Sequence, residues 1–124
     1  MKDYRNLKVW DRAHQLTIAL YQVTTGFPRD EHFGLTSQIR RSSASIGANI
    51  AEGCGKRGNA EFQRFLQIAS GSASELDYHL LLARDLGFLH GHVYDQLSQE
   101  LTRLRRMMTS LLQKVETERQ MAKC

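Results

Sequence analysis

Residues Ser45 to Phe62 read SIGANIAEGCGKRGNAEF, with four glycines inside twelve residues and Lys56 and Arg57 among them. Two folds compete for this stretch. A glycine-rich loop carrying a lysine, set between a strand and a helix, makes an α/β nucleotide binder; a break between two helices makes a bundle. The nucleotide loop needs Gly, four residues, then Gly-Lys and a Ser or Thr. Here Gly55-Lys56 is followed by Arg57, and the position five before Gly55 is Ile50. Spacing and hydroxyl both fail, and the preceding pattern is helical. The stretch therefore reads as the end of one helix at Gly53 and Gly55 and the start of another with Asn59 as N-cap. Lys56 and Arg57 are left as cations on the connecting loop.

Working outward, helix two is predicted over about 35–53 from the apolar stripe Leu35, Ile39, Ser42, Ile46, Ile50 and Gly53. Its middle, RSSASIGA (Arg41 to Ala48), is almost all small residues, which lets another helix approach closely. Helix three is predicted over about 59–87, with Phe62, Phe65, Leu66, Ala69, Ala73, Leu76, Leu80 and Ala83 on one face. It carries its own small patch, ASGSAS (Ala69 to Ser74), so the two patches are expected to face each other. Helix one, about 7–25, follows Val9, Trp10, Ala13, Leu16, Thr17, Leu20, Tyr21 and Thr24 and stops at Gly26 and Pro28. Helix four, about 92–118, has Tyr94, Leu101, Met108 and Val115 at heptad position a and Leu97, Leu104 and Leu111 at d. The tail after Glu118 is expected to fray. Val93, Met107 and Leu112 add apolar surface beside that seam, which suits either a thick core or an oligomer. Four helices with short connections make one all-α domain, an antiparallel up-down-up-down four-helix bundle spanning 1–124.

The chain has 17 Lys and Arg against 13 Asp and Glu, a net charge of +4. That permits contact with nucleic acid without requiring it. No apolar run reaches the length of a membrane span. The N-terminus MKDYRNLKVWDR lacks the apolar core of a secretory signal, so the two cysteines, Cys54 and Cys124, are expected as reduced thiols in a cytoplasm.

Candidate chemistry is sparse. Arg41, Ser45, Asn49 and Glu52 follow steps of four, four and three along helix two. They border the apolar stripe, and against the alternative of a binding stripe the structural reading is expected, with Asn49 and Glu52 as semi-buried polar groups and Glu52 at least half buried against a charge or a backbone group. Di-iron bundles need two Glu-x-x-His motifs and two further Glu; this chain has only Asp11-x-x-His14 and the pair Glu75 and His79. Zinc held by His79, His90 and His92 is the alternative metal site, against scattered surface histidines. Cys54 has Lys56 and Arg57 nearby, which lowers a thiol pKa, but no His and carboxylate are spaced to serve it. No catalytic, metal or cofactor residues are assigned. The candidate nucleic-acid contacts are Arg40, Arg41, Lys56, Arg57, Arg64, Arg103 and Arg106, with solvated faces as the plain alternative.

Three stretches carry a resemblance: LKVWDRA (Leu7 to Ala13), FPRDEHFGLTSQIRRSSASIGANIAEG (Phe27 to Gly53) and EFQRFLQIASGSASEL (Glu61 to Leu76). They resemble the 23S ribosomal-RNA intervening-sequence proteins, the bacterial "four helix bundle protein" family. Asn-x-Ala-Glu-Gly at the end of helix two is the most specific part. The resemblance implies a four-helix bundle that assembles into rings, pentamers by expectation, with no established catalytic activity. The fold is also similar to the accessory variability determinant of diversity-generating retroelements, a basic pentamer that contacts nucleic acid and a reverse transcriptase. The matched positions are Gln38, Arg40, Arg41, Ser45, Asn49, Glu52 and Gly53, with Phe62, Glu75 and Leu76; none carries a known chemical role. Ser43 and Gly47 are smaller than the pattern leads one to expect, which implies a looser helix two. Three functional readings follow: a homo-oligomeric adaptor binding RNA or DNA, a protein–protein scaffold, and a metal-dependent enzyme.

Overall fold

The computed structural model describes residues 3–123. Helices α1 (Lys8–Thr24), α2 (Leu35–Cys54), α3 (Gly58–Asp85) and α4 (Gly91–Lys123) are joined by short connections, with 3₁₀ turns at Tyr4–Asn6 and Arg29–Glu31. Strand is absent among the described residues. Each helix packs on the next, and α1 and α4 close the bundle; α2 and α3 share the most extensive contact and α1 and α4 the least.

The apolar stripes explain this arrangement. Every predicted core position of α2 and α3 is buried, from Leu35 to Gly53 and from Phe62 to Ala83. On α4, Leu97, Leu101, Leu104, Met108 and Val115 are buried, while Tyr94 and Leu111 are half-buried against the same core. Burying side chains of this kind contributes roughly 1.5–3 kcal/mol each. Val93, Met107 and Leu112 also pack on that core, so the surplus apolar positions of α4 thicken the monomer.

The intimacy of α2 and α3 comes from their small residues. Ser42, Ala69 and Ala73 are wholly buried, and the Ser45 and Ser72 hydroxyls share a 2.8 Å hydrogen bond. Gly53 completes the contact: a Cβ there would lie 2.9 Å from the Phe65 Cβ and 3.1 Å from a Phe62 ring carbon. Its role is close approach, and the helix runs on through it to Cys54. Gly47 and Ser43 face α1. Trp10 covers Gly47, and Thr17 donates to the Ser43 carbonyl at 3.1 Å. Both residues are buried there, and a Cβ at Gly47 would make only ordinary contact with Trp10, at 3.5 Å.

The helix ends also differ from expectation. α3 ends after Asp85 in a Schellman turn: Gly87 has φ +82°, its N–H donates to Arg84 and the Phe88 N–H donates to Ala83. At the α2–α3 turn, Gly55 keeps a right-handed conformation, and the positive φ of 76° falls on Gly58. Asn59 is therefore inside the first turn of α3 and not its N-cap, which is Arg57. α4 continues to Lys123, past the predicted stop at 118. Among the described residues, no helix is long and apolar enough to cross a membrane.

Candidate nucleic-acid interface

The antiparallel register places the α2–α3 turn at the end of the bundle where α4 finishes. Gln63 on α3 is buried and donates at 2.6 Å to Glu116 on α4, while accepting from Arg119. Hydrogen bonds from Gln63 and then Gln120 hold the Glu116 carboxyl below its ordinary pKa. Asn59 donates at 3.0 Å to Glu118. These polar contacts tie the last turns of α4 to the start of α3, which explains why the tail stays helical.

Lys56 and Arg57 project from this tied end and are exposed. The Lys56 ammonium lies 5.7 Å from the centre of the Phe65 ring, and the Arg64 guanidinium lies 4.5 Å from the same centre. Such contacts are worth about 0.5–1 kcal/mol at exposed sites. Arg64 also pairs with Glu61 at 3.1 Å. Arg57 ion-pairs with no described residue. The turn thus gathers two of the candidate cations, Lys56 and Arg64, around one aromatic side chain, with Arg57 exposed beside them. Phe65 was legible only as a core residue, because its second role depends on the fold of the turn.

The remaining candidates lie elsewhere and are mostly engaged. Arg40 is half-buried. Its Nε donates to Thr24 Oγ1 at 2.9 Å and its Nη2 to the Tyr21 carbonyl at 3.1 Å, with the guanidinium over the Tyr21 ring. It satisfies the C-terminal end of α1. Arg41 is held by Gln38 and Glu75. Arg103 pairs with Glu100 at 2.7 Å. Arg106 is exposed without an ion pair among the described residues, and its neighbour Arg105 reaches Ser74 and Asp77 on α3. The seven cations therefore do not form one patch on the monomer.

The polar stripe of α2 is only partly as expected. Asn49 is half-buried and donates to the Ser45 carbonyl and hydroxyl at 2.8 and 3.0 Å. Glu52 is exposed, which overturns the expectation of a half-buried carboxylate. The reason is helical phase. At about 100° per residue, Ser45 and Asn49 lie about 40° and 80° round from Arg41, toward the core, whereas Glu52 returns to within about 20° of Arg41 on the rim.

His79 is half-buried on α3, while His90 and His92 are exposed at the start of α4. Among the described residues no group of three or more His, Cys, Asp or Glu side chains is placed to hold a metal ion. Cys54 is buried in the core and packs as a small hydrophobe, away from the solvent a nucleophile needs; Cys124 lies outside the described residues.

With this geometry in view, three comparisons bear on the chain. The family model for 23S rRNA-intervening sequence proteins matches residues 5–110. No curated protein matches the chain. A solved structure from Bacteroides thetaiotaomicron, described as a protein of unknown function from the S23 ribosomal protein family, superposes with a TM-score of 0.76 at 26% identity, covering 84% of this chain and 97% of that one. The family match extends into all four helices and contains the α2–α3 turn. The chain belongs to the 23S rRNA-intervening sequence protein family.

Proposed function

We propose that this protein is a non-enzymatic, homo-oligomeric adaptor that binds RNA in the cytoplasm, with the α2–α3 turn as its phosphate contact. The observation that carries the reading is the pair Lys56 and Arg57, exposed on a glycine-flanked turn and without an ion pair among the described residues, with Lys56 and Arg64 both set over the Phe65 ring. Cations on a turn of this kind contact phosphates and do not read base edges, so binding is sequence-independent. In a closed ring each subunit contributes one copy of the turn, and repeated weak contacts give avidity. A pentameric ring, as the family resemblance implies, gives five.

The test is an RNA titration across several salt concentrations, comparing wild type with Lys56→Ala/Arg57→Ala. Removing one phosphate contact should lower the slope of log affinity against log salt by about 0.7–0.9. Equal slopes remove the turn from the interface. A wild type that binds no RNA at low salt leaves the protein–protein scaffold as the surviving reading.

A further inference from the structure

At the opposite end of the bundle, the α1–α2 connection holds a feature the phosphate reading does not use. Phe33 is 92% exposed, whereas Phe27, six residues earlier, is buried in the core. The Phe33 ring stands edge-on to the His32 ring, with centres 4.8 Å apart. Beside them opens a cavity of about 500 Å³, within the roughly 300–1,000 Å³ of small-molecule sites. Its lining includes Phe33, Arg29, His32, Arg40 and Thr24, and no carboxylate. Asp30 and Glu31 share the turn but line no part of it.

Arg40 is held in place by the two bonds from its Nε and Nη2. Its Nη1 donates to no described residue, so a fixed guanidinium faces the cavity with donors to spare. An apolar side chain from a protein partner would cover Phe33 but leave these cations unmatched. A nucleotide matches both: its base lies on the ring, and its phosphate meets the guanidinium.

We infer that Phe33 and the adjoining Arg29–His32–Arg40 cavity form a binding site for an unstacked nucleotide of single-stranded RNA. Stacking of a base on an exposed aromatic ring tolerates any sequence and is forfeited in a duplex, where bases are already stacked. The inference rests on the RNA-binding reading and adds to it a preference for single strands, located at the end of the molecule away from Lys56 and Arg57.

The experiment measures binding of a single-stranded RNA of roughly ten nucleotides and of a duplex of the same length. It uses wild type, Phe33→Leu, Phe33→Trp and Lys56→Ala/Arg57→Ala. The Phe33 ring is exposed, so neither of its replacements should alter the melting temperature. Phe33→Leu keeps apolar bulk but removes the π-face; affinity for the single strand should fall about tenfold or more, with duplex affinity and salt slope unchanged. Phe33→Trp should retain wild-type affinity. The turn double mutant should show a shallower salt slope but keep its single-strand preference. If Phe33→Leu changes nothing, or weakens both RNAs equally, the stacking site is wrong while salt-dependent binding leaves the phosphate reading intact. If Phe33→Leu instead breaks up the oligomer in light scattering, the ring docks on a second copy of the chain and the inference is overturned. A wild type that binds neither RNA overturns both.

Discussion

Gly53 and its neighbour Glu52 show how much one position decides. Gly53 gives α2 and α3 their closest approach near the turn. A methyl group there would press on the Cβ of Phe65, an atom fixed to the backbone. Gly53→Ala should therefore destabilise by roughly 1–3 kcal/mol through overpacking, although alanine is the better helix former; a melting temperature at or above that of wild type would show that the helices part easily. Conversely, Glu52→Ala should stay within about 0.5 kcal/mol of wild type, as for other surface substitutions. Both residues lie in the stretch that carries the family resemblance, and their roles were not legible from it. The stripe was visible, but its rim depends on a few tens of degrees of phase, and Gly53 read as a terminator because the depth of the Phe62 and Phe65 packing is a property of two helices together. His79 poses a different problem. Its Nδ1 is buried without a hydrogen-bond partner. Burial pushes its pKa below the ordinary 6.5, against the pull of Glu75 and with the help of Arg41. The unfolded chain then binds the proton more readily than the folded one, so the contribution is complete above the unfolded value and disappears as pH falls through the folded one. Wild type should fall in melting temperature between about pH 7 and pH 5 more steeply than His79→Gln. Parallel curves would mean that the orphaned nitrogen costs nothing to protonate.

At the scale of elements, the pairing of α2 with α3 was legible and the end of α4 was not. Small-residue patches on consecutive helices pack most closely face to face, and Ser45 meets Ser72 as that reasoning requires. The heptad of α4, by contrast, ends at Val115, so apolar spacing stops giving information there. The last turns are held by Gln63, Asn59, Glu116, Glu118 and Arg119, and polar partners across two helices leave no period in either. The separate engagements of the candidate cations were hidden for the same reason. Arg40 and Arg41 are adjacent in the chain, yet one satisfies the end of α1 and the other bridges to Glu75. The small-residue patch is also the easiest helix pairing to test. Ala73 is wholly buried between the helices, so Ala73→Leu should cost roughly 1–3 kcal/mol in chemical denaturation. An unchanged midpoint would mean that α3 can roll away from α2 without penalty.

For the whole molecule, α4 packs its surplus apolar residues on the monomer's own core, so the proposed ring would draw on other faces of the bundle. Ile18, Ile68 and Tyr78 remain partly exposed on α1 and α3, and cyclic association would cover the same faces on every subunit. Light scattering well above micromolar concentration should give a mass several times the 14.2 kDa of one chain; a monomer would remove the ring and the avidity that the RNA reading draws from it. The bundle's own seams carry a separate consequence. Its most extensive seam joins two consecutive helices, and its least extensive joins the first helix to the last. Most of the packing therefore forms between chain neighbours, and the seam that must close the longest loop holds least. Such a chain can condense from the α2–α3 hairpin outward with little loop-closure entropy before each gain. The same asymmetry acts in reverse once the protein is folded: transient opening should begin along the α1–α4 edge, so amide protons of α1 should exchange with deuterated solvent well before those in the middle of α2 and α3.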